Sequence, residues 1–423
     1  MSEQGCSRKP ELSQDGELKA VQFRPKQAVS SLDAEQRSQA GFNTMDDSVN
    51  NLCANEFAPT KISYGHVYWR FLVNSYDERV WRWRALIFIL LAVLGLTVLL
   101  CATIGPARIG FGEVLTMLLR RLPWAGSLIP RGDWPDNYET IVLQMRLSRV
   151  ILAALVGAGL AASGVVLQGL LLNPMADPYI LGISQGAALG ATAAMLSGIS
   201  MQVLGIYAVP LVAFAAGLGT SIMVYNLARV GHKVQMSTLL LAGIAVGLFL
   251  SAITSYAMIT SGQNVHQILF WMIGGFAGRG WDHVKVLLPY IFIGYTLMHL
   301  SARKLNVILL GEEPAQHLGI DVEKMKKVLL VAATLTTASA VAVSGVIAFV
   351  GLIVPHAVRL MVGPDHRVLL PTAALTGAIF LIMADALARV AAAPEEIPVG
   401  IITALCGGPF FIYLLRKKND PGF

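Results

Sequence analysis

From about residue 85 to residue 415 the chain is a succession of long apolar runs broken by short polar intervals. The runs are continuous, whereas the strands of a membrane barrel would alternate apolar and polar at every second residue. Each is near the ~20 residues that carry a helix across a bilayer. The pattern predicts ten spanning helices, at about 84–104, 150–172, 179–198, 204–228, 237–260, 284–301, 328–346, 349–362, 368–390 and 398–415. Only "SGVIAF" parts the seventh from the eighth. The expected fold class is an all-α polytopic membrane protein.

One interval departs from the usual mixture of loop residues. In "LLNPMADPYILGIS", residues 171–184, Asn173, Pro174, Asp177 and Pro178 crowd between two spanning helices. Each proline removes a backbone donor and restricts the residue before it, so the corner is rigid. A corner of that kind is specified for a purpose.

Composition agrees with the pattern. Of 423 residues 55% are hydrophobic and only 14% charged, and the mean hydropathy is +0.61. A soluble domain carries about a quarter charged residues. The net charge of +6 does not point to nucleic acid, because no basic stretch is interleaved with aromatics on a soluble face. Membrane proteins gather Lys and Arg in cytoplasmic loops. With the N-terminus inside, "ERVWRWR", "ARVGHK", "ARKLN", "EKMKK", "GPDHR" and "RKKND" all fall on that side, and an even helix count puts both termini in the cytoplasm. The longer first outside loop, 105–148, carries several arginines against the trend.

Residues 1–80 are rich in Ser, Gln, Asp, Glu and Asn without an apolar period, as in a disordered cytoplasmic extension, and hold no secretory signal. Residues 81–418 form the transmembrane domain. Cys6, Cys53, Cys101 and Cys406 have no paired spacing, so neither a disulfide framework nor a metal site is expected.

Small residues recur at four-residue spacing: Gly182, Gly186 and Gly190, then Gly243 and Gly247, with Gly157–Ala161 and Gly159–Ser163 in the second span. They predict packing seams, because small residues let helices approach inside a membrane.

Chemistry is sparse. The chain lacks G-x-x-x-x-G-K-[ST], H-E-x-x-H and any Cys/His ligand cluster, which leaves a membrane enzyme with little to work with. Asp385 is the clearest ionisable group within a span, and Arg389, four residues on, offers it a local ion pair in place of a proton-relay role. A secondary carrier would show coupling groups near the midplane, yet five spans contain none. Energy is therefore expected from another subunit, through a cytoplasmic loop. The longest such loop, 301–327, contains "GEEPAQHLGI", with Pro314 in a first helical turn, Glu312 and Glu313 at the positive helix end, and Gly319 to close it.

Six segments carry a family resemblance in register: "RLSR", "GAGLAASGVVLQGLLLNPMADPYILGISQGAALGA", "FWMIGGFAGRGW", "LNVILLGEEPAQHLGI", "GVIAFVGLIVPHAVRLMVGPDHR" and "ADALARVAAAPEEIPVGIITALCGGPFFIYLLR". From about 84 to 416 the chain resembles the FecCD family, permeases of type II ATP-binding-cassette importers for ferric siderophores, haem and cobalamin. It departs at Ser148, where the family usually has proline, and in its polar extension.

The resemblance implies a homodimer with its pathway on the dimer axis, lined by helices five and ten. It implies a cytoplasmic gate at Asn173 and Met175 of the rigid corner and at Ser237 and Thr238 before the fifth helix. Coupling to the ATPase would fall on the segment 303–321, at Gly311, Glu312, Glu313, Ala315, Leu318 and Gly319. Arg146, Arg149 and Arg389 would meet glutamates of a periplasmic or lipid-anchored substrate-binding protein. No cofactor is expected in this chain, since ATP and magnesium would bind the partner ATPase dimer. Ferric siderophore is the default substrate, with haem and cobalamin as alternatives, and His266 is read as a surface histidine instead of a haem ligand. The rival of another class is an ATP-independent carrier.

Overall fold

The structure is a computed structural model. It describes the backbone of residues 64–418 except 106, 108, 122–128, 131, 198–204, 232 and 394, and side chains from 80 to 416, apart also from 206, 414 and 415. The chain divides into Met1–Tyr76 and Asp77–Phe423, and the helical bundle is the second unit. Residues 1–63 of the predicted extension lie outside the described residues, and from Tyr64 the backbone is helical.

Each of the ten apolar runs lies in a helix. The helices are α1 (Tyr64–Thr103, apolar over Val80–Thr103), α3 (Asp136–Leu170), α4 (Ile183–Ser197), α5 (Ala208–Ala228), α6 (Met236–Ile259), α8 (Trp281–Leu300), α11 (Val322–Ser344), α12 (Val350–Val362), α13 (His366–Val390) and α14 (Val399–Lys418). But α1 starts at Tyr64 where the runs predict 84, and α3 at Asp136 where they predict 150, so the end of the expected 105–148 loop is helical. Seven of the ten are long and apolar enough to cross a membrane, while α4 and α12 are shorter and α14 is apolar over Val399–Tyr413. Four short helices fill the connections: α2 (Phe111–Arg120), α7 (Val265–Ile273), α9 (Ala302–Ile308) and α10 (Glu312–His317). The strands β1 (Arg229–Val230) and β2 (Lys233–Val234) pair as a small hairpin before α6.

In lipid a helix can be apolar all round, so burial, not amphipathicity, tells which helices are central. The most apolar window is 78% buried in α3 and α11 and 67% in α13, but only 17% in α1 and α6. The core is therefore α3 against α11 and α13, with α1 and α6 outside it. Glycines set the spacing. A Cβ at Gly157 would overlap the backbone of Gly377 in α13, and one at Gly164 would overlap Gly351 in α12. Gly186 and Gly190 meet Ala216 of α5, and Gly243 lies against the Ile180 carbonyl. Gly182 stays in the seam, close to Thr220 of α5, but not within the helix. Its φ of +73° ends a 3-10 turn over Pro178–Leu181, so α4 begins only at Ile183.

The break between the seventh and eighth spans is also backbone chemistry. Gly345 leaves α11 with φ +72°, and Phe349 enters α12 with the same sign of φ, uncommon for a side chain of its size. Ser148, the departure from the family's proline, donates back to the Gln144 and Met145 carbonyls just after a π-helical turn at Ile141–Arg146.

Candidate functional site

The rigid corner is built from two successive side-chain turns. Asn173 Oδ1 accepts from Met175 N at 2.9 Å, and Asp177 Oδ1 accepts from Tyr179 N at 2.9 Å. Short polar side chains that bond to backbone two residues ahead mimic a turn, and here the prolines stiffen both. Tyr179 ties the corner to the α11–α12 break, because its hydroxyl donates to Ile347 O at 2.8 Å and accepts from Ile347 N at 3.2 Å. Pro178 is buried against Gly351. Asn173 and Met175 are half-buried on the outer turn of the corner.

Ser237 is exposed and Thr238 half-buried in the first turn of α6, with Thr238 Oγ1 donating to Gln235 Oε1 at 3.1 Å. No hydrogen bond joins Ser237 or Thr238 to Asn173 or Met175 among the described residues. Instead, the corner and α6 border a cavity of about 380 Å³ lined by Asp177, Tyr179, Gln185, Gly247, Ser251 and Phe349, among others.

The short helix expected at "GEEPAQHLGI" is α10. Gly311 caps it with φ +125° and Gly319 follows it with φ +78°, backbone that glycine adopts without a Cβ penalty. Ala315, fully buried, seats α10 against Ile308 and Val322. Leu310 and Leu318 flank it at 73% and 68% exposure, so apolar surface is left uncovered at both ends. Its two glutamates are not equivalent. Both are exposed, but Glu312 turns back to Lys326 Nζ at 2.6 Å. Nearby, Asn306 Nδ2 donates to Asp365 Oδ1 at 2.7 Å, and Arg367 Nη2 reaches Asp365 Oδ2 at 2.6 Å. Burial works to raise the Asp365 carboxyl, but the bonds from Arg367 and Asn306 outweigh it and hold it down to about 2.

The three arginines are less accessible than the resemblance implies. Arg146 is 6% exposed and donates to the carbonyls of Ala102, Thr103 and Ala107. Arg389, 4% exposed, donates to Cys101 O at 3.0 Å and Ile104 O at 2.6 Å. Both therefore cap the end of α1, whose last carbonyls lack helical partners and carry the negative end of the dipole. Only Arg149 retains some surface, at 12% of its side chain, and it too is paired. Its Nε and Nη2 hold Asp385, and its Nη1 reaches Glu396 at 2.7 Å. Asp385 does have its expected neighbour: Arg389 Nε stands 3.3 Å from Oδ2, within ion-pair reach but not aligned as a hydrogen bond. The distant Arg149 is the better-directed partner.

Arg149 and Glu396 border a recess of about 610 Å³ with Trp271, Arg279 and His283. Burial holds the Arg279 guanidinium below its ordinary value, and its bond is to His283 Nε2 at 3.2 Å. Sequence reasoning missed Arg279, along with α7 and Lys326. The arginine lies in a quoted motif, but Lys326 reads as one more cytoplasmic charge in "EKMKK". The His266 ring lies tilted against Phe270, with centroids 4.9 Å apart.

An all-helical bundle with seven membrane-length helices among the described residues, a rigid corner and an exposed, glycine-bounded loop helix fits a multi-pass membrane protein. The FecCD transport family matches residues 89–417, and the chain belongs to that family. It is 47% identical over 303 residues to the cobalamin import system permease protein BtuC of Halobacterium salinarum, covering 70% of this chain and 80% of that one. The hemin transport system permease protein HmuU of Yersinia pestis is 40% identical, covering 77% and 95%. The Fe(3+) dicitrate transport system permease protein FecD of Escherichia coli is 37% identical, covering 70% and 92%. A solved structure of a metal-chelate type ABC transporter in an inward-facing conformation superposes with a TM-score of 0.68 at 30% identity, over 79% of this chain and 99% of that chain. This chain is accordingly an ABC importer permease, the membrane subunit of a transporter whose ATPase is a separate polypeptide.

Proposed function

We propose that this permease carries a ferric siderophore or a related metal chelate inward across the cell inner membrane, as a homodimer with both termini in the cytoplasm. The observation that carries the coupling half of the reading is α10, a short helix seated through Ala315 that exposes Glu313, Leu310 and Leu318. Uncovered apolar residues beside a charge suit a protein partner, here an ATP-binding-cassette ATPase dimer that holds the ATP and magnesium. The second copy meets this chain along α6, where Leu241, Ile244, Leu248 and Tyr256 are exposed. Lipid covers what remains. Asn173 and Met175 would then face Ser237 and Thr238 across the axis as the cytoplasmic gate.

The substrate-binding protein approaches the opposite face, near the recess bordered by Arg149 and Arg279. Arg149 is the docking group of the three arginines, while Arg146 and Arg389 act by holding α1 in place. Cobalamin is the second reading, supported by the 47% identity to a cobalamin permease. The deciding experiment titrates the partner binding protein with a ferric siderophore, haem and cobalamin, then measures ATP-driven uptake into proteoliposomes. Uptake that proceeds without the ATPase would replace the proposal with a secondary carrier.

A further inference from the structure

We propose that Lys326 is a positioning residue for coupling, passing movement of α10 to the segment that opens α6 through Glu312 on one side and Glu323 on the other. This rests on α10 being the ATPase contact.

The contacts form an unbroken polar line between two elements far apart in sequence. Lys326 projects from the start of α11 with its side chain 5% exposed. Its Nζ lies 2.6 Å from Glu312 Oε1 on α10 and 3.0 Å from Glu323 Oε1 on its own helix. The other oxygen of Glu323, Oε2, accepts from the backbone N–H of Val234 at 3.2 Å. Val234 is buried, ends β2 and adjoins Gln235, the cap of α6, whose carboxamide accepts from Thr238. One ammonium thus stands between the loop helix and the gate segment.

Two other links join α10 to α11: the connection through Gly319, at φ +78°, and the apolar seat of Ala315 on Val322. Neither reaches β2. The ammonium does, through Glu323. A desolvated ammonium needs acceptors for its three donors, and attraction strengthens as water is removed. Parting from Glu312 would leave the buried ammonium with Glu323 as its single carboxylate partner, so the contact resists parting when α10 moves. Glu312 is itself 52% exposed, within reach of whatever grips α10.

The test uses the full-length permease with its ATPase in nanodiscs, in a background lacking Cys6, Cys53, Cys101 and Cys406. A spin label on Ser237→Cys reports the distance across the dimer, without nucleotide and after trapping with magnesium, ATP and vanadate. Lys326→Met and Glu323→Gln should leave ATPase binding intact and basal hydrolysis within about twofold of wild type. The fraction of gates switched by ATP should fall about tenfold, inside the usual span of coupling between sites. Lys326→Arg, which keeps the charge, should restore most of the response. A merely structural role would lower stability without separating hydrolysis from the gate. If Lys326→Met fails to assemble, Glu312→Gln and Glu323→Gln each sever one contact and leave Lys326 paired through the other. A full gate response in both of these would overturn the inference. A wild-type complex that hydrolyses ATP with no change at the label would overturn the reading of α10 itself.

Discussion

Arg149 holds Asp385 with two guanidinium nitrogens, Nε at 3.1 Å from both carboxylate oxygens and Nη2 at 2.9 Å from Oδ1, joining α3 to α13. Asp385 is 1% exposed and also has Arg389 at 3.3 Å, so one carboxylate compensates two cations. Removing it leaves Arg149 with Glu396 alone and Arg389 with backbone carbonyls but no carboxylate. Asp385→Asn should cost on the order of 3–5 kcal/mol, as when a buried pair is broken from one side. Thermal unfolding in detergent measures it. Arg149→Lys, which keeps charge but loses the paired geometry, should cost less. An Asp385→Asn variant as stable as wild type would show that the pair contributes nothing to the fold.

The glycine contacts make a graded comparison. A Cβ at Gly186 would collide with Thr220 and Ala216 of α5, while Gly219 has nothing within 4 Å of its Cβ position. Gly186→Val should force α4 from α5 and lower the unfolding midpoint sharply. Gly219→Ala should be neutral or slightly stabilising, since alanine is the better helix former. Equal effects from the two would mean that helix spacing is not set at Gly186.

Asp365 sets a pH dependence whose sign is determined by its lowered carboxyl, at about 2 against the ordinary 3.8. The folded state favours the ionised form, so the stabilisation is complete above about pH 4. It fades as pH falls towards 2. Asp365→Asn should flatten the acid limb of the unfolding midpoint between these values and weaken the hold on Asn306 and Arg367. An unchanged acid limb would assign the dependence to other carboxylates.

Labelling tests the orientation. Ala277→Cys and Glu395→Cys, both at exposed positions, should react with an impermeant thiol reagent from outside the cell. Gln316→Cys on α10 should react only from inside. Outside reactivity at Gln316→Cys would invert the proposed topology and remove α10 from contact with any cytoplasmic ATPase.

Some of the site was local enough to read directly. Pro174 and Pro178 announce a rigid corner because their effect lies in their own rings and in the residue before each. Gly311, Pro314 and Gly319 announce α10 for the same reason, and the helix lies at Glu312–His317. The arginines could not be read that way. Arg146 and Arg389 look like outside charges in a one-dimensional topology, yet their guanidinia cap carbonyls 39 to 44 and 285 to 288 residues away along the chain.

The apolar runs by themselves determined that this chain is a bundle of helices, and about where each ends, though not the early starts of α1 at Tyr64 and α3 at Asp136. The reason is that a backbone in lipid must satisfy its own hydrogen bonds, so every long apolar run becomes a helix whatever its neighbours are. Tertiary structure alone decided which helices are central, and which charge answers which. Lipid-facing and buried helices are equally apolar, so α3 and α6 look alike in sequence although one is 78% buried and the other 17%. Pairing depends on distance in space: Arg149 and Asp385, 236 residues apart, and Lys326 and Glu312 meet only once the helices have packed.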